Sequence, residues 1–260
     1  MLISEKNRKW WALAGLSMSC LIAYLDFAIV NTALPEIQRD LGVSFVVLQW
    51  VMNVFVLALC IFMVNMGRFG DTFGRRPMLY LGLALFGIAS LFSGLASGGA
   101  MLITFRALQG VGIAMIIPSS LALISDTFPE GERGRAIGIW TSATGIGLAL
   151  GPVLGGVITS SLGWRWVFFV NIPVLITAGG ICLLSVRETM RVSERRIDWY
   201  GFFLMIAGIG SLVTVVIEGP EWGFTSSRTL SLFAAAVFCL TALYVVEARV
   251  RSPIIDFKLF

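Results

Sequence analysis

The stretch Gly138-Ile139-Trp140-Thr141-Ser142-Ala143-Thr144-Gly145-Ile146-Gly147-Leu148-Ala149-Leu150-Gly151-Pro152-Val153-Leu154-Gly155-Gly156 decides the fold. It sets six glycines and one proline into an otherwise unbroken apolar run. In water this would be a poor helix, since each interior glycine costs about 1 kcal/mol relative to alanine and an interior proline about 3 kcal/mol. In lipid the balance reverses, because backbone groups cannot turn to water and a helix is almost the only form open to the chain. Small residues at every third or fourth position then let a neighbouring helix come close. Gly147, Gly151 and Gly155 place two successive small-xxx-small steps on one face. Pro152 removes a backbone donor and meets the carbonyl of Leu148, which predicts a bend. A close-packed, kinked membrane helix follows.

The rest of the chain supports a membrane setting. Hydrophobic residues make up 57% of 260 and charged residues 13%, against about 25% charged in a soluble domain. The net charge of +4 does not indicate a nucleic-acid partner, because the basic residues sit at the ends of apolar runs, where they carry topology information. Cys20, Cys60, Cys182 and Cys239 each lie in a different apolar run without a CxxC pair, so neither a disulfide framework nor a metal site is expected. There is no histidine, so any proton chemistry runs through carboxylates and their basic neighbours. No nucleophile elbow, paired carboxylates in one span or ATP-binding motif occurs. The expectation is therefore a protein that is not an enzyme and needs no cofactor.

Apolar runs of spanning length lie at 11–34, 46–66, 78–97, 101–125, 136–160, 166–186, 200–217 and 230–247, against a requirement of about 20 residues each. The first carries Asp26 and is followed by seven more, so it reads as a retained helix and not a signal peptide. Segments at one set of alternate ends hold fifteen lysines and arginines and the other set holds three, with Arg106 inside span four. The positive-inside rule then predicts that both termini face the cytoplasm.

Three positions stand out chemically. A charged carboxylate within a span costs at least ~2.5 kcal/mol, so Asp26 must be neutral, paired or open to a water-filled cavity, with nearby Asn31 a possible hydrogen-bond partner. Burial works against the charged form of an acid, which makes Asp26 a candidate proton carrier. Arg106 in Leu102-Ile103-Thr104-Phe105-Arg106-Ala107-Leu108-Gln109-Gly110 cannot shed its proton and needs a counter-charge, water, or a route to the interface. The segment Gly67-Arg68-Phe69-Gly70-Asp71-Thr72-Phe73-Gly74-Arg75-Arg76-Pro77 reads as a tight charged loop, with Asp71 able to cap a helix start.

These motifs together resemble the major facilitator superfamily. The pattern G-x-x-x-D-x-x-G-R-R at Gly67, Asp71, Gly74, Arg75 and Arg76 is similar to its signature loop, with Thr72 where a basic residue is common. The resemblance implies that Asp71 pairs with basic residues near other helix ends, Arg133 or Arg135 being the candidates, and that this cluster, Gly70 included, latches one conformation. Leu102-x-x-x-Arg106-x-x-Gln109-Gly110 resembles the helix-four motif, which implies proton coupling through Arg106, directly or by water with Asp26. Gly138, Gly147, Gly151, Pro152, Gly155 and Gly156 match the antiporter motif at each spaced position. Leu25-Asp26-Phe27-Ala28-Ile29-Val30-Asn31-Thr32-Ala33-Leu34-Pro35, Trp164-Arg165-Trp166-Val167-Phe168-Phe169-Val170-Asn171-Ile172-Pro173 and Glu218-Gly219-Pro220-Glu221-Trp222-Gly223-Phe224 resemble the fourteen-span drug:proton antiporter branch, the last as the loop between its two additional spans.

The implied fold is an all-α membrane protein: a six-helix N-terminal bundle of the major facilitator fold over 1–190, then two additional transmembrane helices and the start of a connection over 191–260. The second bundle is missing. The resemblance implies proton-coupled efflux of amphiphilic or cationic drugs across the bacterial inner membrane, with the lipid bilayer, protons and a small amphiphilic substrate as partners. The cavity candidates are Asn31, Trp50, Asn53, Phe55 and Gln109. A fragment, a truncated product, or a half that assembles with a second copy or a separate C-terminal half would each fit the length. The other function classes are a non-exporting solute transporter and a non-transporting membrane subunit. Because the family's fifth helix is expected to meet the second bundle, the Gly147 and Gly151 face is expected to lack a partner within this chain.

Overall fold

The computed structural model describes residues 5–188 and 199–247. Their elements are α1 (Glu5–Leu41), α2 (Phe45–Phe73), α3 (Arg75–Gly94), α4 (Gly99–Thr127), α5 (Glu130–Leu162), α6 (Trp166–Phe169), α7 (Asn171–Ser185), α8 (Trp199–Trp222) and α9 (Ser227–Glu247). No strand occurs among the described residues. Eight spans among them are long and apolar enough to cross a membrane, α6 and α7 together making one of the eight. This agrees with the number read from hydropathy.

The helices outrun their apolar cores. Hydropathy marks the part of a helix that needs lipid, whereas the backbone continues wherever side chains can reach water. So α1 extends through Asp40, and α2 runs to Phe73 and takes in Asp71. The segment expected to be a loop is a single-residue joint at Gly74. Its φ of 108° lies in the region that favours glycine, and it lets α3 start at Arg75. Asp71 therefore ends a helix and does not cap a start. The segment Glu218–Trp222, expected to be a loop, also belongs to a helix, α8. The boundary expected at 190/191 and the tail from 248 onward lie outside the described residues.

Span six breaks at Val170. Pro173 lacks an N–H, which a helix spares only in its first turn, so a new helix begins at Asn171. Asn171 is thereby turned inward and is fully buried. Helices α1 and α4 are the inner members of the bundle; α1 packs on α5 and α7, and α4 on α2 and α3. The additional pair is attached through one helix. Met205 and Phe202 of α8 meet Asn65, Phe62 and Phe69 of α2, and α9 packs on α8.

The glycine face of α5 departs from expectation. A Cβ at Gly147 would sit 2.5 Å from the carbonyl oxygen of Leu21, one at Gly151 would fall on Ala28, and one at Gly155 on the Thr32 hydroxyl. All three partners are on α1, so the face is filled from within the same bundle. Helix α5 remains continuous through Pro152, which points outward.

Candidate functional site

A charge centre is sealed between α1, α3, α4 and α7. Asp26 and Arg106 are both 0% exposed, which excludes the snorkelling route for the arginine. Arg106 Nη1 donates to Asp26 Oδ2 at 2.5 Å and to Gln109 Oε1 at 3.0 Å, while its Nε donates to the carbonyl of Val51 at 3.2 Å. The other carboxylate oxygen accepts from Asn171 Nδ2 at 2.6 Å and Gln109 Nε2 at 3.3 Å. Ser90 Oγ stands behind both amides, accepting from Gln109 at 2.8 Å and from Asn171 at 3.1 Å. Ser93 Oγ donates to Gln109 Oε1 at 3.5 Å.

Each group that reaches the carboxylate is a donor, so the arrangement fits an ionised Asp26 paired with an arginine that cannot discharge. Burying two charges gains little net stability, but removing one partner leaves the other uncompensated at a cost of about 3–5 kcal/mol. The pair and the two amides thus tie α1 to α4 and α7.

The sequence reading found Asp26, Arg106 and Gln109, and the structure brings them together. Gln109, expected in the cavity, belongs to this centre. Asn31 does not: it is exposed and donates to the carbonyl of Phe27. Asn171, Ser90 and Ser93 were missed. The signal for Asn171 was a lone amide in an apolar span two residues before a proline; the two serines carried none, since serine is common in membrane helices at packing positions.

An apolar cavity of about 210 Å³ adjoins the centre. It is lined by Ala23, Tyr24 and Phe27 of α1, Phe55, Val56 and Leu59 of α2, Ile113 of α4 and Leu148 of α5. Of the expected cavity residues only Phe55 lines it; Trp50 and Asn53 are half-buried and do not. Phe27 and Phe55 stack with ring centres 6.0 Å apart and planes at 21°. The Arg106 guanidinium lies 4.1 Å from the Phe55 ring centre, inside cation–π range.

The cluster at the α2–α3 joint pairs differently from expectation. Asp71 accepts from Arg75 at 3.0 and 3.1 Å, and Arg75 also reaches Asp126 at the end of α4 at 2.5 Å. Arg133 instead donates to the Phe128 carbonyl, and Arg135 stacks on Trp10. With a short joint, the nearest cation to Asp71 is one turn along the same path. Arg76 donates to Tyr80 and to the carbonyl of Leu183, tying α3 to α7. A Cβ at Gly70 would meet Arg75 and Ser119 at ordinary distances, and one at Gly67 only Pro118. At the opposite end Asp40 accepts from Trp164 at 3.0 Å and Arg165 at 2.6 Å.

Eight spans among the described residues, six of them in a bundle that encloses a buried acid–arginine pair, define a multi-pass membrane protein of the transporter class, where ionisable groups inside the membrane mark ion pathways. The chain belongs to the Major Facilitator Superfamily, which matches residues 16–246. That family is one of transporters, not enzymes. Similar proteins include multidrug resistance protein Stp of Mycobacterium tuberculosis, 41% identical over 95% of this chain and 46% of its own length. The puromycin resistance protein pur8 of Streptomyces alboniger is 39% identical over 95% and 49%. The tetracenomycin C resistance and export protein of Streptomyces glaucescens is 35% identical over 98% and 48%. The chain thus spans about half the length of these relatives. Among solved structures, a bacterial homologue of the human lysosomal transporter Spinster, inward-facing and unoccupied, matches with a TM-score of 0.56 at 18% identity, over 93% of this chain and 61% of that one. This likeness shows the shared helical fold.

Proposed function

We propose that this chain forms the proton-coupling half of a drug exporter in the bacterial cytoplasmic membrane, with both of its termini on the cytoplasmic side. The observation that carries the reading is the Asp26–Arg106 pair, wholly buried, with its carboxylate held by donors from α4 and α7. A single protonation there changes the ties between helices, which is what an alternating-access cycle needs. The resistance and export names of the relatives support a drug as cargo, and the apolar, aromatic cavity supports an amphiphilic one. The excess of basic residues at one set of helix ends supports the orientation. The cavity is completed by a second bundle, from the continuation of the same polypeptide or from a separate chain. The matched glycines and Pro152 of α5 support export over uptake.

The test is dye efflux driven by an imposed proton gradient, in vesicles holding this sequence together with a second bundle. Asp26→Asn should abolish gradient-driven efflux while the protein remains in the membrane. Proton-driven efflux at the unsubstituted rate in that variant removes the assignment of Asp26.

A further inference from the structure

The cavity and the charge centre adjoin but share no surface. Asp26 and Arg106 are 0% exposed, and neither belongs to the cavity wall. A molecule in the cavity therefore cannot touch the carboxylate, and direct competition of drug and proton for one acid has no geometry in this arrangement. Some element must report occupancy across the wall.

Phe55 is the side chain with a face on each side. Its ring lines the cavity, and the Arg106 guanidinium packs over the same ring at 4.1 Å from its centre. Phe27, next to Asp26 in sequence, stacks on it from α1. Arg106 is held independently of the ring, by the Val51 carbonyl one turn earlier on α2 and by Gln109. Movement of the ring thus changes how closely the guanidinium is backed, without carrying the arginine along. The cavity decides whether the ring can move. An apolar cavity of about 150 Å³ holds a benzene, so the 210 Å³ beside Phe55 gives an aromatic ring room to swing when empty and none when filled.

We propose that Phe55 is the positioning residue that couples cavity occupancy to protonation of Asp26: an aromatic ring of the ligand keeps the Phe55 ring over the Arg106 guanidinium, a guanidinium so backed favours the ionised Asp26 to which it donates, and the Asp26 proton leaves to water. The inference rests on the proton-coupled reading above. The groups facing Asp26 are Arg106 and Gln109 of α4 and Asn171 of α7, with Ser90 of α3 behind them. Arg106 is the charged one among these described residues, and Tyr24 is the titratable group on the cavity wall. Ligand and proton then exclude one another through a ring and not through shared contacts.

The experiment uses the whole chain together with a second bundle, in lipid nanodiscs, with tetraphenylphosphonium, one of whose phenyl rings suits the cavity. Binding is measured by equilibrium dialysis, and proton release by a pH indicator in weak buffer at a series of starting pH values. The unsubstituted chain should release protons on binding, with ligand and proton opposing each other by about 5-fold or more in affinity, the lower end of common couplings. Asp26→Asn should bind and release none. Phe55→Leu, which keeps an apolar wall but no ring over Arg106, should still bind, with the mutual effect reduced to under about 2-fold. Val56→Ala, on the same wall away from Arg106, should bind more weakly and release as many protons per bound probe as the unsubstituted chain. Full release in Phe55→Leu, or equal loss in Val56→Ala, overturns the role of Phe55 and leaves the proton site standing. Probe binding without release at any pH in the unsubstituted chain overturns both readings. Absence of probe binding overturns the cavity's part in either.

Discussion

The two faces of α5 share one motif and have opposite environments. Gly147, Gly151 and Gly155 lie against the backbone of α1, where a single methyl group has no room. Gly138, Gly145 and Gly156, on the same helix, have nothing within 4 Å of a would-be Cβ, and Leu148, Val153 and Val157 beside them are exposed. Glycine therefore has two distinct meanings within nineteen residues. On the inner face it is a dimension, setting how near α1 may come and so where Asp26 and Ala28 sit. On the outer face it has no steric duty within this chain.

The sharpest way to break this contrast is to add one methyl group at each position. Gly151→Ala and Gly147→Ala should be the most damaging, because the obstacles are Ala28 and the Leu21 carbonyl, which cannot move without shifting α1. Overpacking of this kind costs about 1–3 kcal/mol, and both variants should fall at the upper end. A thermal unfolding series of the chain in detergent, followed by tryptophan fluorescence, checks the loss. Unchanged midpoints would mean that α1 and α5 are not in this contact.

A smaller loss, about 1–2 kcal/mol, is expected for Gly155→Ala. Its nearest obstacle is the Thr32 hydroxyl, which donates to the Ile29 carbonyl at 2.7 Å and can rotate away. Combining it with Thr32→Ala should recover part of the loss, since neighbouring sites in one contact are not additive. Recovery absent in the double variant would place the clash on the α1 backbone instead.

Smaller again is the effect expected of parting Arg75 from Asp126. The pair is short but partly exposed, and such pairs contribute about 0–1 kcal/mol. Asp126→Asn should hardly alter the unfolding midpoint, whereas Arg106→Ala, which strands a buried Asp26, should reduce it severely. Equal effects would erase the distinction between the sealed centre and the surface cluster.

Gly145→Ala and Gly156→Ala should be neutral or stabilising by up to about 1 kcal/mol, as alanine is the better helix former. A marked loss at either would show that the outer face is occupied in the chain by itself.

Much of the fold was legible before any coordinates. Eight apolar stretches of spanning length can only become helices in lipid, because the backbone has no other way to satisfy its polar groups. The residues whose chemistry is anomalous in that setting, Asp26 and Arg106, announce themselves for the same reason. Less legible were residues whose type is ordinary in a membrane helix. Ser90 and Ser93 become polar partners only because α3 is turned toward Gln109, and the outer role expected for the α5 glycines failed because spacing shows a small face but not which helix fills it. Pairing at Gly74 was misjudged for a related cause, since a one-residue joint puts Arg75 nearer to Asp71 than any cation from another loop.

The sequence by itself thus determined the solvent of this protein, the number of its spans, its superfamily and the two charged residues that the membrane cannot leave alone. Only the tertiary structure decided who meets whom. It places Asn171 on Asp26, Phe55 between cavity and arginine, and α1 on the glycines of α5, because each contact joins residues far apart in the chain, and helix periodicity alone does not fix the rotation of one helix against another.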